Sequence, residues 1–373
     1  MSDAHPPTSP DAVLQADALT KHFPVREAAV RAARPRRRFV HAVDDVSFSL
    51  RSGTTVALVG ESGSGKSTTG ALVARLEAPT SGRVLFRGAE PNFRKRSVVQ
   101  GYRRQVQMIF QDPYSSLNPV HTVAYHLERP LRIHGISKSA ADAREQALGL
   151  LEQVHLTPAR QVIDKLPHEL SGGQRQRVAI ARALAVQPRV LVADEPVSML
   201  DVSVRLSILN LLSELVTGHE LALLYITHDI ASARYFAEQV LVMYAGQVLE
   251  AGPAEQVTQS PAHPYTQLLI SAAPNPDAAA QGPRPKMQSP GEAPSLINPP
   301  TGCRFHPRCP YAMPICAEKQ PPAFSGGSDR WAACWLLADS APESPSASNP
   351  PAARPGHEPA APQAECAKEQ TDA

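Results

Sequence analysis

The chain has 373 residues, 42% hydrophobic and 19% charged, with 37 basic side chains against 35 acidic ones. Its length exceeds one ordinary domain, its composition is that of a globular protein with a real core, and its near-balanced charge argues against a general affinity for nucleic acid. No apolar run reaches the roughly 18 residues of a membrane span, and the start lacks the basic and apolar regions of an export signal, so five cysteines argue against a disulfide framework.

Residues 1–12 are polar and proline-bearing and are expected to be disordered. "LTKHFPV" follows, and then "RAARPRRR", residues 31–38, a basic run inserted between two strand-like segments. A solvated loop is the expected state of that run, with contact to anionic lipid headgroups the alternative. From Ala42 to Pro253 short apolar runs alternate with helical patterns, which predicts an α/β domain. "TTVALVG", "RVLVAD" and "LALLYIT" are continuously apolar, as strands are when both faces of a parallel sheet are covered.

"GESGSGKS", Gly60 to Ser67, fits G-x-x-x-x-G-K-[ST] between a strand-like and a helix-like stretch. Glycines let such a loop curl so that its amides face phosphate oxygens, and the helix that starts there adds its positive end. The candidate nucleotide-binding residues are Gly60, Glu61, Ser62, Gly63, Ser64, Gly65, Lys66, Ser67 and Thr68. Lys66 suits the β- and γ-phosphates, and the Ser67 hydroxyl suits magnesium. Downstream, "RVLVADEP" ends an apolar run on Asp194 and Glu195. Neighbouring side chains on a strand point to opposite faces, so the two acids have different tasks. Asp194 is assigned to the magnesium shell and Glu195 to the attacking water.

"LSGGQRQRVAIARAL", Leu170 to Leu184, resembles the signature of ABC-type ATPases and lies shortly before the acid strand, as in that family. Gln111 in "MIFQDPYSSLNP" stands where the family has its Q-loop glutamine, Asp201 in "SMLD" its D-loop aspartate and His228 in "YITHD" its switch histidine. Phe23 in "LTKHFPV" is the matching aromatic for stacking on adenine, with Phe39 beyond the basic insertion as the alternative. Met199 departs from the alanine usual in the D-loop. The resemblance implies a P-loop NTPase fold of ABC type over residues 13–273, with a RecA-like core, an antiparallel β-subdomain and a helical subdomain at about 112–186. It implies ATP and Mg²⁺ as ligands, catalysis by Glu195, His228 and Gln111, and magnesium held by Ser67, Gln111 and Asp194. It also implies that Ser171, Gly172, Gly173 and Gln174 face the ATP of a second ATPase subunit, so a partner cassette is needed.

"FQDPYSSLNP", "HPYTQLL" at residues 263–269 and a cysteine-bearing end resemble the oligopeptide/dipeptide permease ATPases. The tyrosine in "DPYSSLNP" and the insertion after "KHFPV" resemble the second of that group's paired ATPase subunits. The expected setting is a peripheral subunit on the cytoplasmic face of the membrane, joined to two permeases and served indirectly by an extracytoplasmic solute-binding protein. Peptide import is the expected role. Nickel, glutathione and opine importers share the architecture, and a non-transport ABC ATPase is the more distant alternative.

Residues 274–300 form a proline-rich linker, 301–338 a small extension, and 339–373 a tail too polar to order itself. Within the extension Cys303, Cys309, Cys316 and Cys334 are separated by five, six and seventeen residues, while Cys366 stands in the tail. Four thiolates suit either structural zinc or an iron–sulfur cluster, although no closely spaced C-x₂₋₄-C pair occurs. The resemblance to peptide permease ATPases, some of which carry a cluster in this extension, implies one [4Fe–4S] centre. Its distance along the chain from the ATPase motifs implies a structural or redox-sensing role.

Overall fold

The computed structural model describes residues 11–25, 38–112, 116–272, 291–326 and 329–340. The basic run up to Arg37, Tyr114 of the "DPYSSLNP" segment, most of the linker, the tail from Ala341 and Cys366 lie outside the described residues.

The strands are β1 (Ala12–Pro24), β2 (Phe39–Arg51), β3 (Thr55–Val59), β4 (Ser81–Phe86), β5 (Val106–Ile109), β6 (Val190–Asp194), β7 (Ala222–Thr227), β8 (Gln239–Tyr244), β9 (Gln247–Pro253), β10 (Phe324–Ser325) and β11 (Trp331–Ala332). The main sheet runs β10-β11-β9-β8-β3-β7-β6-β5, parallel from β8 to β5 and antiparallel beyond β8. Every residue of β3, β6 and β7 is buried, which accounts for their unbroken apolar runs. Their side chains still alternate. Val56 and Leu58 join a core with Val192 and Leu224 under a second, antiparallel sheet of order β2-β1-β4, whereas Ala57 and Val59 join Ala193 and Tyr225 on the other face.

The helices are α1 (Lys66–Val73), α2 (Arg96–Gln105), α3 (Val123–Ile133), α4 (Ala140–Gln153), α5 (Ala159–Val162), α6 (Gly172–Leu184), α7 (Val202–Gly218), α8 (Ile230–Phe236), α9 (Ala254–Gln259), α10 (Pro264–Ala272) and α11 (Pro314–Glu318). Helices α3 to α6 form the helical subdomain. Hydroxyl caps start three of them: Thr122 for α3, Ser139 for α4 and Ser171 for α6. The parallel core, the antiparallel sheet and the helical subdomain are thus the three parts the resemblance implies.

The C-terminal segment, expected as a small extension, joins the main domain through its backbone. Its strand β11 pairs antiparallel with β9, Trp331 opposite Ala251 and Ala332 opposite Glu250, so it extends the main sheet. Residues 291–300, assigned to the linker, also touch the domain, since the His41 amide donates to the Leu296 carbonyl at 2.8 Å.

Candidate active site

The phosphate cradle forms where β3 turns into α1. Gly65 caps the helix at φ 106°, where a side chain would be strained, and a Cβ there would lie 2.2 Å from the Ala42 carbonyl oxygen. A Cβ at Gly60 would lie 2.0 Å from the Met243 carbonyl oxygen, so β8 forces glycine at that end of the loop. Lys66 is only 4% exposed, and its ammonium donates to the carbonyls of Gly60 and Glu61, both at 2.8 Å. Burial lowers its pKa, against the opposing charges of Glu195, Asp194 and Glu61. An entering phosphate would replace those two carbonyls as the partner of the Lys66 ammonium.

The two oxygens assigned to magnesium meet. The Ser67 hydroxyl donates to Asp194 Oδ1 at 3.1 Å, at the end of β6. Burial raises the Asp194 carboxyl, the Ser67 hydrogen bond opposes that, and the Glu195 charge adds to the rise. A hydroxyl and a buried carboxylate converging here fit a hard cation with oxygen ligands. Gln111 reaches the site from the end of β5 but spends its amide elsewhere: Nε2 donates to Glu195 Oε2 at 3.0 Å.

Glu195 itself has φ 44°, the left-handed region, which turns the chain sharply out of β6. Its amide donates to the Ile226 carbonyl at 2.9 Å, and its other carboxylate oxygen lies 3.2 Å from His228 Nδ1. One carboxylate is therefore held from two sides, by a glutamine at the end of one strand and a histidine at the end of another.

One open cavity of about 680 Å³ is lined by Ser62, Gly63, Gly65, Lys66, Ser67 and Thr68 together with Gln111, Glu195, His228 and Phe23, while Gly60, Glu61, Ser64 and Asp194 are not among its lining residues. Of the two candidate aromatics Phe23 is in that wall, while Phe39, paired with Pro24 across β1 and β2, is not among the lining residues. Val40, Ala42 and Leu296 complete the wall. The signature residues Ser171, Gly172, Gly173 and Gln174 and the D-loop Asp201 are not among the described residues that line the cavity. Ser171 instead caps α6, its hydroxyl accepting from the Gln174 amide at 3.2 Å, and Met199 of the D-loop is 63% exposed. A Cβ on Gly173 would lie 2.6 Å from Val204, so the signature helix packs directly against α7 behind the D-loop.

Several residues beside the cavity were given no role at it by the sequence, although Tyr265 lies in the "HPYTQLL" stretch. The Tyr265 hydroxyl accepts from the Glu61 amide at 2.9 Å, and Arg308 donates to the Glu61 carboxylate at 2.8 Å. Asp44 binds His22 at 2.6 Å, lies 3.4 Å from His41 and is paired with Arg304, which also reaches the Ala245 carbonyl. Burial alone would raise the Asp44 carboxyl, but the His22 hydrogen bond and the Arg304 charge bring it below the ordinary range. Arg304 and Arg308 lie between the first two cysteines of the extension, each next to one of them. The segment that lies far along the chain from the ATPase motifs is therefore in contact with them in space, which corrects the remoteness read from sequence.

Cys303, Cys316 and Cys334 are buried, Cys309 is half-buried, and none is in a disulfide. All four line one cavity of about 10 Å³, together with His263. Burial pushes the Cys303 thiol up to about 11 and raises Cys309 and Cys334 as well. His263 is 1% exposed, and its Nδ1 accepts from the Tyr265 amide at 3.0 Å, which puts the ring proton on Nε2. That Nε2 is buried without a hydrogen-bond partner among the described residues.

Residues 43–198 match the family described as "ABC transporter", and residues 249–316 match "Oligopeptide/dipeptide transporter, C-terminal region". The chain is 44% identical over 333 residues to a probable peptide ABC transporter ATP-binding protein, y4tS, of Sinorhizobium fredii, covering 89% of this chain and 92% of the relative. It is 45% identical over 311 residues to the dipeptide transport ATP-binding protein DppF of Haemophilus influenzae, covering 83% and 92%. Among solved structures it resembles the dimeric, post-hydrolysis ATP-binding cassette MJ0796 bound to ADP and Pi, with TM-score 0.56 and 30% identity over 65% of this chain and 98% of that one. Among the described residues no helix is long and apolar enough to cross a membrane. With its phosphate cradle, paired strand-end acids and capped signature helix on one frame, the chain belongs to the ATP-binding proteins of the ABC transporter family, in the group that carries the oligopeptide/dipeptide transporter C-terminal region.

Proposed function

We propose that this chain is the ATP-binding and ATP-hydrolysing subunit of an importer for dipeptides and oligopeptides, working at the cytoplasmic face of the membrane with a second ATPase subunit and two permeases. The observation that carries this reading is the grip of Gln111 and His228 on the two oxygens of Glu195, above a loop whose buried lysine donates to two carbonyls of the loop itself. Phosphoryl transfer asks the protein mainly for positioning and charge. Lys66 and the loop amides would hold the β- and γ-phosphates, and Phe23 would stack on the base. Ser67 and Asp194, with Gln111 turning in from β5, would hold magnesium, which supplies charge to the transferred phosphoryl. Glu195 would orient or deprotonate the attacking water, and His228 would fix its carboxylate.

The signature lies outside this cavity, which favours a shared site: Ser171 to Gln174 and Asp201 would act on the nucleotide held by the partner. ATP would then favour the closed pair, and hydrolysis would release it.

For the permeases this chain offers a surface. Two grooves share Gln107 and Arg182 and expose Leu76, Phe110, Tyr125 and Ile133 beside Gln111. Their occupant would be a cytoplasmic helix of a permease, and Gln111 would report nucleotide state to it. The peptide class rests on the C-terminal region and on the relatives' names. The experiment is uptake of a labelled dipeptide by cells that express the transporter with Glu195→Gln in this chain. Uptake should fall to background, and unchanged uptake would end the proposal.

The cysteine set suits a metal–thiolate centre. A tetrahedral zinc site needs sulfurs about 3.8 Å apart, given Zn–S bonds of about 2.3 Å. Among the described residues, the one group of three ligand atoms within 4.8 Å of one another is His22, His41 and Asp44, where Arg304 already supplies the positive charge. The [4Fe–4S] reading, with Cys303, Cys309, Cys316 and Cys334 as ligands, rests on the resemblance and on the convergence of all four on one cavity, where the buried His263 Nε2–H is a ready donor to sulfur.

A further inference from the structure

Glu61, the second residue of the phosphate loop, is held by three side chains, besides the Ser64 amide that donates to its carbonyl at 3.2 Å. Its amide donates to the Tyr265 hydroxyl at 2.9 Å, its carboxylate accepts from Arg308 at 2.8 Å, and its carbonyl accepts from Lys66 at 2.8 Å. When phosphate arrives and takes Lys66, the third tie is lost and the other two remain. Both of those come from outside the ATPase motifs. Arg308 precedes Cys309 and also reaches the Tyr244 hydroxyl at 3.3 Å. Tyr265 opens α10. Behind them Tyr244, Tyr265 and Phe305 pack ring on ring, with centroids 4.6, 5.3 and 5.4 Å apart, and all three are buried. Arg308 and Tyr265 are not among the residues lining the nucleotide cavity, so whatever they do to the nucleotide passes through Glu61.

We propose that Arg308 and Tyr265 are positioning residues for the phosphate loop, through which the cysteine-bearing extension sets the affinity of this chain for ATP. The physical reason is preorganisation. The loop amides bind phosphate only when they point inward together, and a loop already fixed in that shape loses little freedom on binding. Arg308 is itself placed by the extension: Arg304, four residues earlier, is tied to Asp44 and the Ala245 carbonyl, and the Cys303 amide donates to the Cys316 carbonyl at 2.8 Å. By linkage, whatever orders the extension tightens nucleotide binding, and bound nucleotide steadies the extension by the same factor. This rests on the reading of the cradle as the ATP site.

The test is titration of the full-length chain with a fluorescent ATP analogue, alongside steady-state hydrolysis in the assembled transporter. Arg308→Gln should weaken binding about three- to tenfold, the scale of freeing one or two ordered groups, and raise KM for ATP while leaving kcat near its original value. Arg308→Lys, which keeps a charge near Glu61, should recover part of the loss. Tyr265→Phe keeps the ring packing and removes only the hydroxyl, so it decides the matter if Arg308→Gln fails to fold; it too should weaken binding. In a Glu61→Gln background, Arg308→Gln should add little. Unchanged affinity in folded Arg308→Gln and Tyr265→Phe would overturn the proposal, as would a loss confined to kcat. Lys66→Ala in the same titration is the control: if it bound normally, the ATP-site reading would be at fault rather than the clamp.

Discussion

Gln111 Nε2 lies 3.0 Å from Glu195 Oε2, joining the end of β5 to the end of β6 across the mouth of the phosphate cradle. The contact ties the residue proposed to report nucleotide state to the permease to the residue proposed to act on water. It motivates the first prediction. Glu195→Gln should leave ATP binding nearly intact and slow hydrolysis at least about a hundredfold, the scale of losing a general base or water-orienting group. The variant should collect as an ATP-bound pair with its partner, measured by size-exclusion chromatography with nucleotide analysis. Near-normal turnover would refute the assignment.

The cradle and the signature should separate cleanly. Lys66→Ala removes the charge that meets the phosphates and should weaken nucleotide binding by the isolated chain at least about tenfold. Ser171→Arg removes a helix cap, a local cost of about 1 kcal/mol, and should spare binding by the monomer while blocking hydrolysis in the pair. Equal loss of monomer binding in both variants, read by fluorescent-nucleotide titration, would contradict a shared site.

Chain purified without oxygen should be brown and contain about four iron and four sulfide per molecule, as a centre bound by four cysteines requires. Cys309→Ser should lose the colour. Because buried thiols must give up protons to bind metal, the colour should also fade on acidification. Colourless protein with stoichiometric zinc and no iron would replace the cluster with zinc.

His263 gives a pH prediction with a definite sign. Burial lowers its ring pKa to about 3 from an ordinary value of 6.5. Between those values the unfolded chain binds a proton that the folded chain does not, so stability falls as pH falls through that window and is fully present above it. The effect is at most about 1.4 kcal/mol per pH unit. Urea midpoints should therefore decline more steeply from pH 6.5 to 5 in the original chain than in His263→Phe. Parallel curves would show that the ring does not stay neutral.

Much of the core and of the nucleotide site was legible in the sequence because it is written locally. Strands β3, β6 and β7 are buried on both faces and so read as unbroken apolar runs, and the cradle needs its glycines and lysine at fixed offsets. The contacts of the C-terminal segment were not legible. Arg308 meets Glu61 across 247 residues and Arg304 meets Asp44 across 260, and nothing in either neighbourhood announces its partner. Strand β11 is two residues long, too short for a period to show. The left-handed turn at Glu195 was also hidden, since it is imposed by the Ile226 carbonyl on the adjacent strand rather than by a glycine.

The most direct measurement is ATP hydrolysis by this chain assembled in lipid vesicles with its partner cassette, both permeases and a peptide-binding protein. The account predicts that adding dipeptide raises hydrolysis in step with its uptake, and that Glu195→Gln in this chain abolishes both. Hydrolysis indifferent to the permeases and to peptide would contradict it.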